Sequence, residues 1–359
     1  MGSIQNLKVA VFGAGSIGCY LGGYLLSAGC QVVLYGREKI KWEIDLKGLV
    51  LTHYKRKPIQ IPQGQIDFRL KYDDLEMADI ILVCVKSQDC EEAADLLRHK
   101  AGPGALLVSC QNGVRNAQTL EAVTGRRALG AIVPFNVTSI RRGEFHSGTE
   151  GDLMIEQDPD ERLSTMVKAF RKSGMGVKTT PHIRDYQWGK LLINLNNALS
   201  ALSGDTLRAG LSQKPYRQVL ASMIEEGLNV CRGAGINPQT FGKVSISKTI
   251  KILRLPDLLF QVVMNRIMKI DENARSSMLD DLEAGKKSEV DFLQGEIVGL
   301  ARATGQYAPI NSVILAEVQQ AFRIHQSPKM SGSELLALLG PHNDPDPESD
   351  YEPDQEPEN

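Results

Sequence analysis

The chain contains no uninterrupted run of the roughly 18 to 20 apolar residues that a membrane-spanning helix needs, so no membrane partner is expected. Its opening, MGSIQNLK, is polar and leads straight into an apolar run, so neither a signal nor a transit peptide is expected. The Ser or Thr that N-myristoylation requires after Met1-Gly2 is also missing. Six cysteines (Cys19, Cys30, Cys84, Cys90, Cys110 and Cys231) show no CxxC and no Cys/His spacing. That pattern argues against a zinc site or a disulfide framework, and it predicts a cytoplasmic chain without bound metal. Cys84 and Cys110 fall inside apolar runs and read as small buried hydrophobes. No internal repeat is visible, and no nucleic-acid partner is expected. Basic residues are missing from the last segment, PHNDPDPESDYEPDQEPEN from Pro341, where an acid stands at every even position from 344 to 358. A Pro-rich acidic segment with almost no apolar residues cannot offset its ordering entropy by burial. Residues 336–359 are therefore expected to form a disordered acidic tail, whose partner, if it has one, the sequence does not name.

What is present is ordinary for a globular chain: 359 residues, 42% hydrophobic and 23% charged, enough for two domains with real cores. Segments 8–12, 31–35, 79–85, 105–110 and 128–133 are short, apolar and β-branched, with helical spacing between most of them. Such alternation predicts a mostly parallel, doubly wound α/β sheet with helices on both faces. Residues 16–28 have helix-compatible apolar spacing, and Gly29 is placed to stop that helix. Residues 48–70 alternate as a small antiparallel excursion, and 143–156 read as a second hairpin. After about Thr180 the spacing is nearly all helical, with breaks at Gly204-Asp205, Gly233–Pro238, Leu255-Pro256 and Gly305–Pro309. The fold class expected is thus α/β plus all-α: a Rossmann-type domain over 1–180 and a helical domain over 181–335.

The first stretch with chemical content is VAVFGAGSIG, in which an apolar run meets Gly13-Ala14-Gly15-Ser16-Ile17-Gly18. Alone, GxGxxG is a weak signal. Here it follows a strand, opens a helix and lies in a βαβ unit, the context of a dinucleotide site. Gly13 suits the tight turn, Gly15 lets the backbone approach a pyrophosphate, and Gly18 lets the helix pack on the strand. The free amides of the helix start favour phosphate. At the end of the second strand, Arg37 is placed to stack on adenine or pair with a 2′-phosphate, which favours NADP; Glu38, the ribose-binding type of residue, stands one position late. Beyond the carboxyl ends of later strands come Lys86, after ILVCV, and Asn112, in the QNG after LLVSC. Each has two readings: a ligand contact, or a solvated strand end for Lys86 and a plain turn for Asn112.

In the helical half, YQWGKLLINLNNALSALSG places Lys190, Asn194 and Asn197 at i, i+4 and i+7, one narrow polar stripe amid Leu191, Leu192, Ile193 and Leu195. A solvated face is one reading. A lysine and two amides facing a cleft, able to donate a proton and orient a carboxylate, is the other. Farther on, Ser288 is a plausible N-cap that puts Glu289 in the first turn of a helix running to about Ala303, where a carboxylate is common for structural reasons alone.

Taken in order, VFGAGSIGCYLG, VKSQD, QNG, WGKLLINLNNAL and SSMLDDLEAGKKSEVDFLQG resemble the ketopantoate reductase (2-dehydropantoate 2-reductase) family from about residue 7 to 325, and the last two blocks are quite specific. The resemblance implies a Rossmann domain plus a helical domain related to the 6-phosphogluconate dehydrogenase type, with the active site between them. It also implies NADPH-dependent reduction of 2-dehydropantoate to (R)-pantoate, a step toward coenzyme A. By position it implies that Lys190 is the proton donor and that Glu289 contacts the cofactor or orients the lysine. Asn194 and Ser277 would hold substrate, as would Asn197, while Lys86 and Asn112 would contact the cofactor. Two positions depart from the family. The second helix amide is Asn197, where some members place it one residue later, at Ala198 here. Ala274 stands where several members have a substrate-binding Asn, although Asn273 is adjacent. Both touch substrate identity. Two further readings follow: a D-2-hydroxyacid dehydrogenase acting on other branched or aromatic 2-keto acids, and a non-catalytic NADP(H)-binding regulator. The joint presence of Lys190 and Glu289 argues against the regulator. A homodimer is a candidate assembly.

Overall fold

The computed structural model describes residues 3–149, 151–240, 244–267 and 275–340. The expected tail from Pro341 onward and the positions Asn273 and Ala274 lie outside the described residues. Twelve strands are described: β1 Lys8–Phe12, β2 Gln31–Tyr35, β3 Leu49–His53, β4 Arg56–Ile61, β5 Asp67–Arg69, β6 Ile80–Val83, β7 Leu106–Ser109, β8 Ala128–Ile132, β9 Val137–Arg141, β10 Glu144–Ser147, β11 Leu153–Glu156 and β12 Val177–Thr180. The helices of the first half are α1 Ser16–Ala28, α2 Glu38–Lys47, α3 Cys90–Lys100, α4 Asn116–Thr124 and α5 Glu161–Lys172. Those of the second half begin with α6 Ile183–Asn194, α7 Asn196–Ser203, α8 Leu207–Ser212, α9 Lys214–Gly233 and α10 Ile246–Leu253. They continue with α11 Asp257–Ile267, α12 Ser277–Glu283, α13 Gln294–Ala303, α14 Pro309–Arg323 and α15 Gly332–Ala337. The N-terminal half is thus a mixed α/β domain and the C-terminal half is helical. No helix among the described residues is long and apolar enough to cross a membrane.

The main sheet has the order β12-β11-β8-β7-β6-β1-β2-β5. From β8 to β5 every pairing is parallel, with Val9 opposite both Val32 and Ile80. Its central strands β6, β7 and β8 are buried along their whole length, as strands covered by helices on both faces must be. All of these parallel strands therefore present their carboxyl ends on one side, where ligands of open α/β sheets lie.

Two excursions divide differently from the expected hairpins. Strands β3 and β4 do form an antiparallel pair, but β5 leaves it to extend the main sheet beside β2. Residues 143–156 are not a hairpin. Strand β10 pairs with β9 and β3 in a separate four-stranded sheet, whereas β11 joins the main sheet antiparallel to β8. Burial explains the split. Phe145 and Ser147 are buried on β10 while Glu144 and His146 are only half-buried, suiting a one-sided sheet, whereas Leu153, Met154 and Ile155 are all buried, which requires a sheet covered on both faces.

Strand β12 ends at Thr180 and α6 starts at Ile183, so the two halves are joined by a two-residue link. At the far end of the described chain, α15 opens with a capping box between Ser331 and Glu334, and Leu336, Leu338 and Leu339 pack on the helical core. All six cysteines are unpaired.

Candidate active site

The glycine turn is built as a cradle. The amides of Gly13 and Ala14 both donate to the Tyr35 carbonyl, at 3.1 and 2.7 Å, which ties the turn to the end of β2. Gly13 has φ +99°, and a Cβ there would stand 2.7 Å from the Val85 nitrogen, so no other residue fits. At Gly18 a Cβ would press to 2.4 Å from the Gly13 carbonyl oxygen. Gly15 differs: a Cβ there would meet nothing within 4 Å. Its backbone thus faces open space at the start of α1, whose first residues are Ser16 and Ile17. Unpaired amides of a helix start, a bare backbone and room beside it suit a pyrophosphate. Gly36 packs against Ala14 (a Cβ would lie 3.0 Å from the Ala14 Cβ), which brings the exposed Arg37 next to the cradle at the start of α2.

The second cluster forms where the helical domain meets the ends of β6, β7 and β8. Lys190, on the last turns of α6, donates from Nζ to the Asn112 Oδ1 at 2.9 Å and to the Val133 carbonyl at 2.7 Å. An ammonium has three N–H groups, so one remains for a ligand. Removal from water lowers the Lys190 pKa to about 8, and the nearby Glu289 carboxylate opposes that shift. Burial in turn raises Glu289; the Lys86 cation, the Ser87 amide and the Asn112 side chain hold it down, and Asp281 pushes it up. Asn112 therefore stands between the two groups, accepting from the amine at Oδ1 and lying close enough to the Glu289 carboxyl to hold its pKa down. Its backbone is fixed as well: its carbonyl accepts from Ser87 Oγ at 2.7 Å and from the Asn116 side chain.

The cleft is bridged twice more. Lys86 pairs with Asp281 of α12, which also receives Lys286 at 3.3 Å. Arg115 pairs with the nearly buried Glu296 of α13 at 2.7 Å. A cavity beside the lysine is lined by Gln111, Asn112, Gly113, Ala131, Ile132, Gln187, Lys190, Leu191, Asn194 and Leu293. Its walls combine amides and one amine with aliphatic surface, as a small polar substrate requires.

The sequence matches the family described as Ketopantoate reductase PanE/ApbA over residues 9–159, and Ketopantoate reductase PanE/ApbA C terminal over 182–321. The chain belongs to the ketopantoate reductase family. A 2-dehydropantoate 2-reductase of Pyrococcus abyssi is 27% identical over 314 residues, covering 86% of this chain and 95% of its own. The crystal structure of a PanE/ApbA family ketopantoate reductase from Ralstonia eutropha is 29% identical with a TM-score of 0.75, covering 89% of this chain and 99% of its own. A D-mandelate dehydrogenase solved with NADH and anilino(oxo)acetate shares the fold at 16% identity and a TM-score of 0.72, over 89% of this chain and 99% of its own.

In this ketopantoate reductase family member, Lys86, Asn112, Lys190 and Glu289 come together as one cluster, with Asn194 on the cavity wall. Asn197 and Ser277 are placed otherwise. The helix expected through Asn197 is interrupted at Leu195, so Asn197 lies on α7, and the cavity lining does not include it. Its carbonyl accepts from Ser276 Oγ at 3.4 Å. Ser277 is exposed at the start of α12, where Ser276 is the cap. The helix expected to begin beside Glu289 begins instead at Gln294. Ser288 Oγ accepts from the Val290 amide at 3.0 Å and closes a short 3-10 turn over Val290–Phe292, and Leu293 (φ −121°, ψ −89°) then breaks the backbone. Glu289 thus sits in a turn that faces Ser87 and Asn112. Asp281, Gln111 and Gln187 were not singled out by sequence. For Asp281 the available signal was its spacing from Ser277, i+4 on the same helix face.

A pH prediction follows from the direction of the Lys190 shift. If Lys190 is the proton donor it must be protonated, so reduction should be level below about pH 8 and fall about tenfold per unit above it. Since Glu289 holds the lysine pKa up, Glu289→Gln should move this break to lower pH. A break that stays in place in the variant would separate Glu289 from the amine.

Proposed function

We propose that this enzyme reduces 2-dehydropantoate to (R)-pantoate with NADPH, a step in pantothenate and coenzyme A biosynthesis. The observation that carries the reading is the Lys190 amine, held by Asn112 and Val133 across the cleft, beside a cavity that also takes Asn194. The cradle of Gly13 to Gly18 would hold the pyrophosphate, and Arg37 the 2′-phosphate. When bound there, the dihydronicotinamide supplies the hydride. Lys190 donates its proton to the keto oxygen as negative charge develops on it. Asn112 fixes the direction of the amine, and Glu289 keeps it charged until the transfer. Asn194, on the cavity wall, orients the substrate carboxylate so that the carbonyl faces the ring.

The placement of Asn197 away from the cavity wall favours a second reading, a D-2-hydroxyacid dehydrogenase for keto acids without the distal hydroxyl. A panel of ketopantoate, 2-ketoisovalerate and phenylglyoxylate with NADPH and NADH decides between them. Ketopantoate should have the highest kcat/KM; a preference for either of the others transfers the assignment. NADPH should be favoured over NADH in the wild type, and Arg37→Ala should erase that preference by weakening NADPH alone. Equal or better efficiency with NADH in the wild type would overturn the NADPH assignment.

A further inference from the structure

The helix that carries Lys190 and Asn194 does not continue into the one that carries Asn197. At Leu195 (φ −55°, ψ −25°) the chain tightens, and the Ala198 amide donates to the Leu195 carbonyl at 3.2 Å. The inner side of the break is enclosed, since Leu195, Ala198 and Leu199 are each 0% exposed, while Asn194, Asn196 and Asn197 are half-buried. Where a helix is interrupted, carbonyls lose their regular donors four residues on and take others. Gln294, the first residue of α13, adds a second, side-chain donor at that same carbonyl: it is 0% exposed, and its Nε2 donates to the Leu195 carbonyl at 3.2 Å.

This amide is an expensive choice for a core position. Its Oε1 has no partner among the described residues, and a buried acceptor left unpaired is destabilising. A methionine or leucine would fill the space without that cost. The position is also tied to the reaction cavity. Leu293, the preceding residue, lines it with Lys190 and Asn194. Helix α9 presses α6 and α13 together at Gly227, where a Cβ would stand 2.6 Å from Leu192 Cδ2 and 2.8 Å from Ile297 Cδ1.

We propose that Gln294 is a positioning residue of this enzyme, holding the break between α6 and α7 so that Lys190 and Asn194 stay aimed into the cavity. It touches no reacting atom and acts through the Leu195 carbonyl. The proposal rests on Lys190 as proton donor and extends that reading to the support beneath it. Apolar packing can hold two helices together, but it is non-directional and tolerates sliding, whereas a hydrogen bond to one carbonyl sets a register. Displacements of about 1 Å at a catalytic group are enough to cost up to a hundredfold in rate.

The test is Gln294→Met, which keeps the volume and removes the donor, with Gln294→Asn as the variant that keeps an amide. In the Met variant, kcat/KM for the keto acid should fall about tenfold or more while the NADPH Kd from fluorescence titration stays unchanged. The Asn variant should fall between Met and wild type. A crystal structure of the Met variant should show the 2.9 Å link from Lys190 to Asn112 lost. That geometric readout does not depend on which substrate the enzyme takes, so it stands even if the wild type fails to reduce ketopantoate. Wild-type kinetics with a lower melting temperature would make Gln294 a stabilising residue only and overturn the proposal. So would a retained Lys190–Asn112 link, or a parallel loss of NADPH affinity, which would mean general loosening. Should the Met variant not fold, the Asn variant decides by the same readouts.

Discussion

Lys190→Ala should lower the turnover number for keto acid reduction by about 10²- to 10⁴-fold, the contribution of a positioned general acid, or about 3 to 5 kcal/mol of barrier. The dissociation constant of NADPH should change little, because the cradle of Gly13 to Gly18 lies on the other domain and makes no contact through the lysine. Two features make the expected loss large. The amine is directed by Asn112 and Val133, at 2.9 and 2.7 Å, so its remaining N–H has a defined aim. Its pKa of about 8 also leaves it protonated at neutral pH yet far readier to give up the proton than a solvated lysine. Lys190→Arg should not restore the rate, since a guanidinium stays protonated and presents a planar fork where a single point donor is needed. Near-wild-type turnover in the alanine variant would remove Lys190 from the reaction. Lost NADPH binding with normal residual turnover would place it at the nucleotide instead.

The second large effect concerns Gly15, and it separates a ligand cradle from a folding element within one loop. Its φ of −86° and ψ of −159° are open to residues with side chains, and a Cβ there meets nothing within 4 Å. Gly15→Val should therefore leave the melting temperature within about 2 °C of wild type. The added branch would occupy the space beside the α1 amides, and NADPH affinity should fall about 100-fold, roughly 2.7 kcal/mol. Gly13→Val is the contrasting control. At φ +99°, with the Val85 nitrogen 2.7 Å from the new Cβ, it should lose fold and binding together. Unchanged NADPH affinity in folded Gly15→Val would show that the pyrophosphate does not rest on this backbone.

Much of this was legible in the amino-acid order because it depends on neighbours along the chain. The run VAVFGAGSIG encodes strand, turn and helix within one short segment, and the strands at 8–12 and 31–35 and the helix at 16–28 lie where their apolar patterns place them. The change to helical spacing near Thr180 likewise marks the junction, and the blocks around Lys190 and Glu289 carry the family. These signals are local: periodicity, glycine placement and short motifs act within a few turns.

What the order of residues left open was decided by contacts between distant segments. Residues 143–156 read as a hairpin because two short strands are separated by glycines, yet the all-round burial of Leu153 to Ile155 drew one strand into the main sheet. Lys190, Asn194 and Asn197 read as one stripe of a single helix; in the fold that helix is interrupted at Leu195, Asn197 falls on α7, and the cavity lining takes Lys190 and Asn194 without it. The pairing of Lys86 with Asp281, 195 residues apart, has no local signature, nor does the placement of Asn112 between amine and carboxyl. The sequence by itself determined the order of an α/β half and a helical half, the glycine turn between β1 and α1, and the family. Only the tertiary structure decided which of those residues meet, because desolvation and a hydrogen-bond partner across a cleft are set by three-dimensional proximity and not by spacing along the chain.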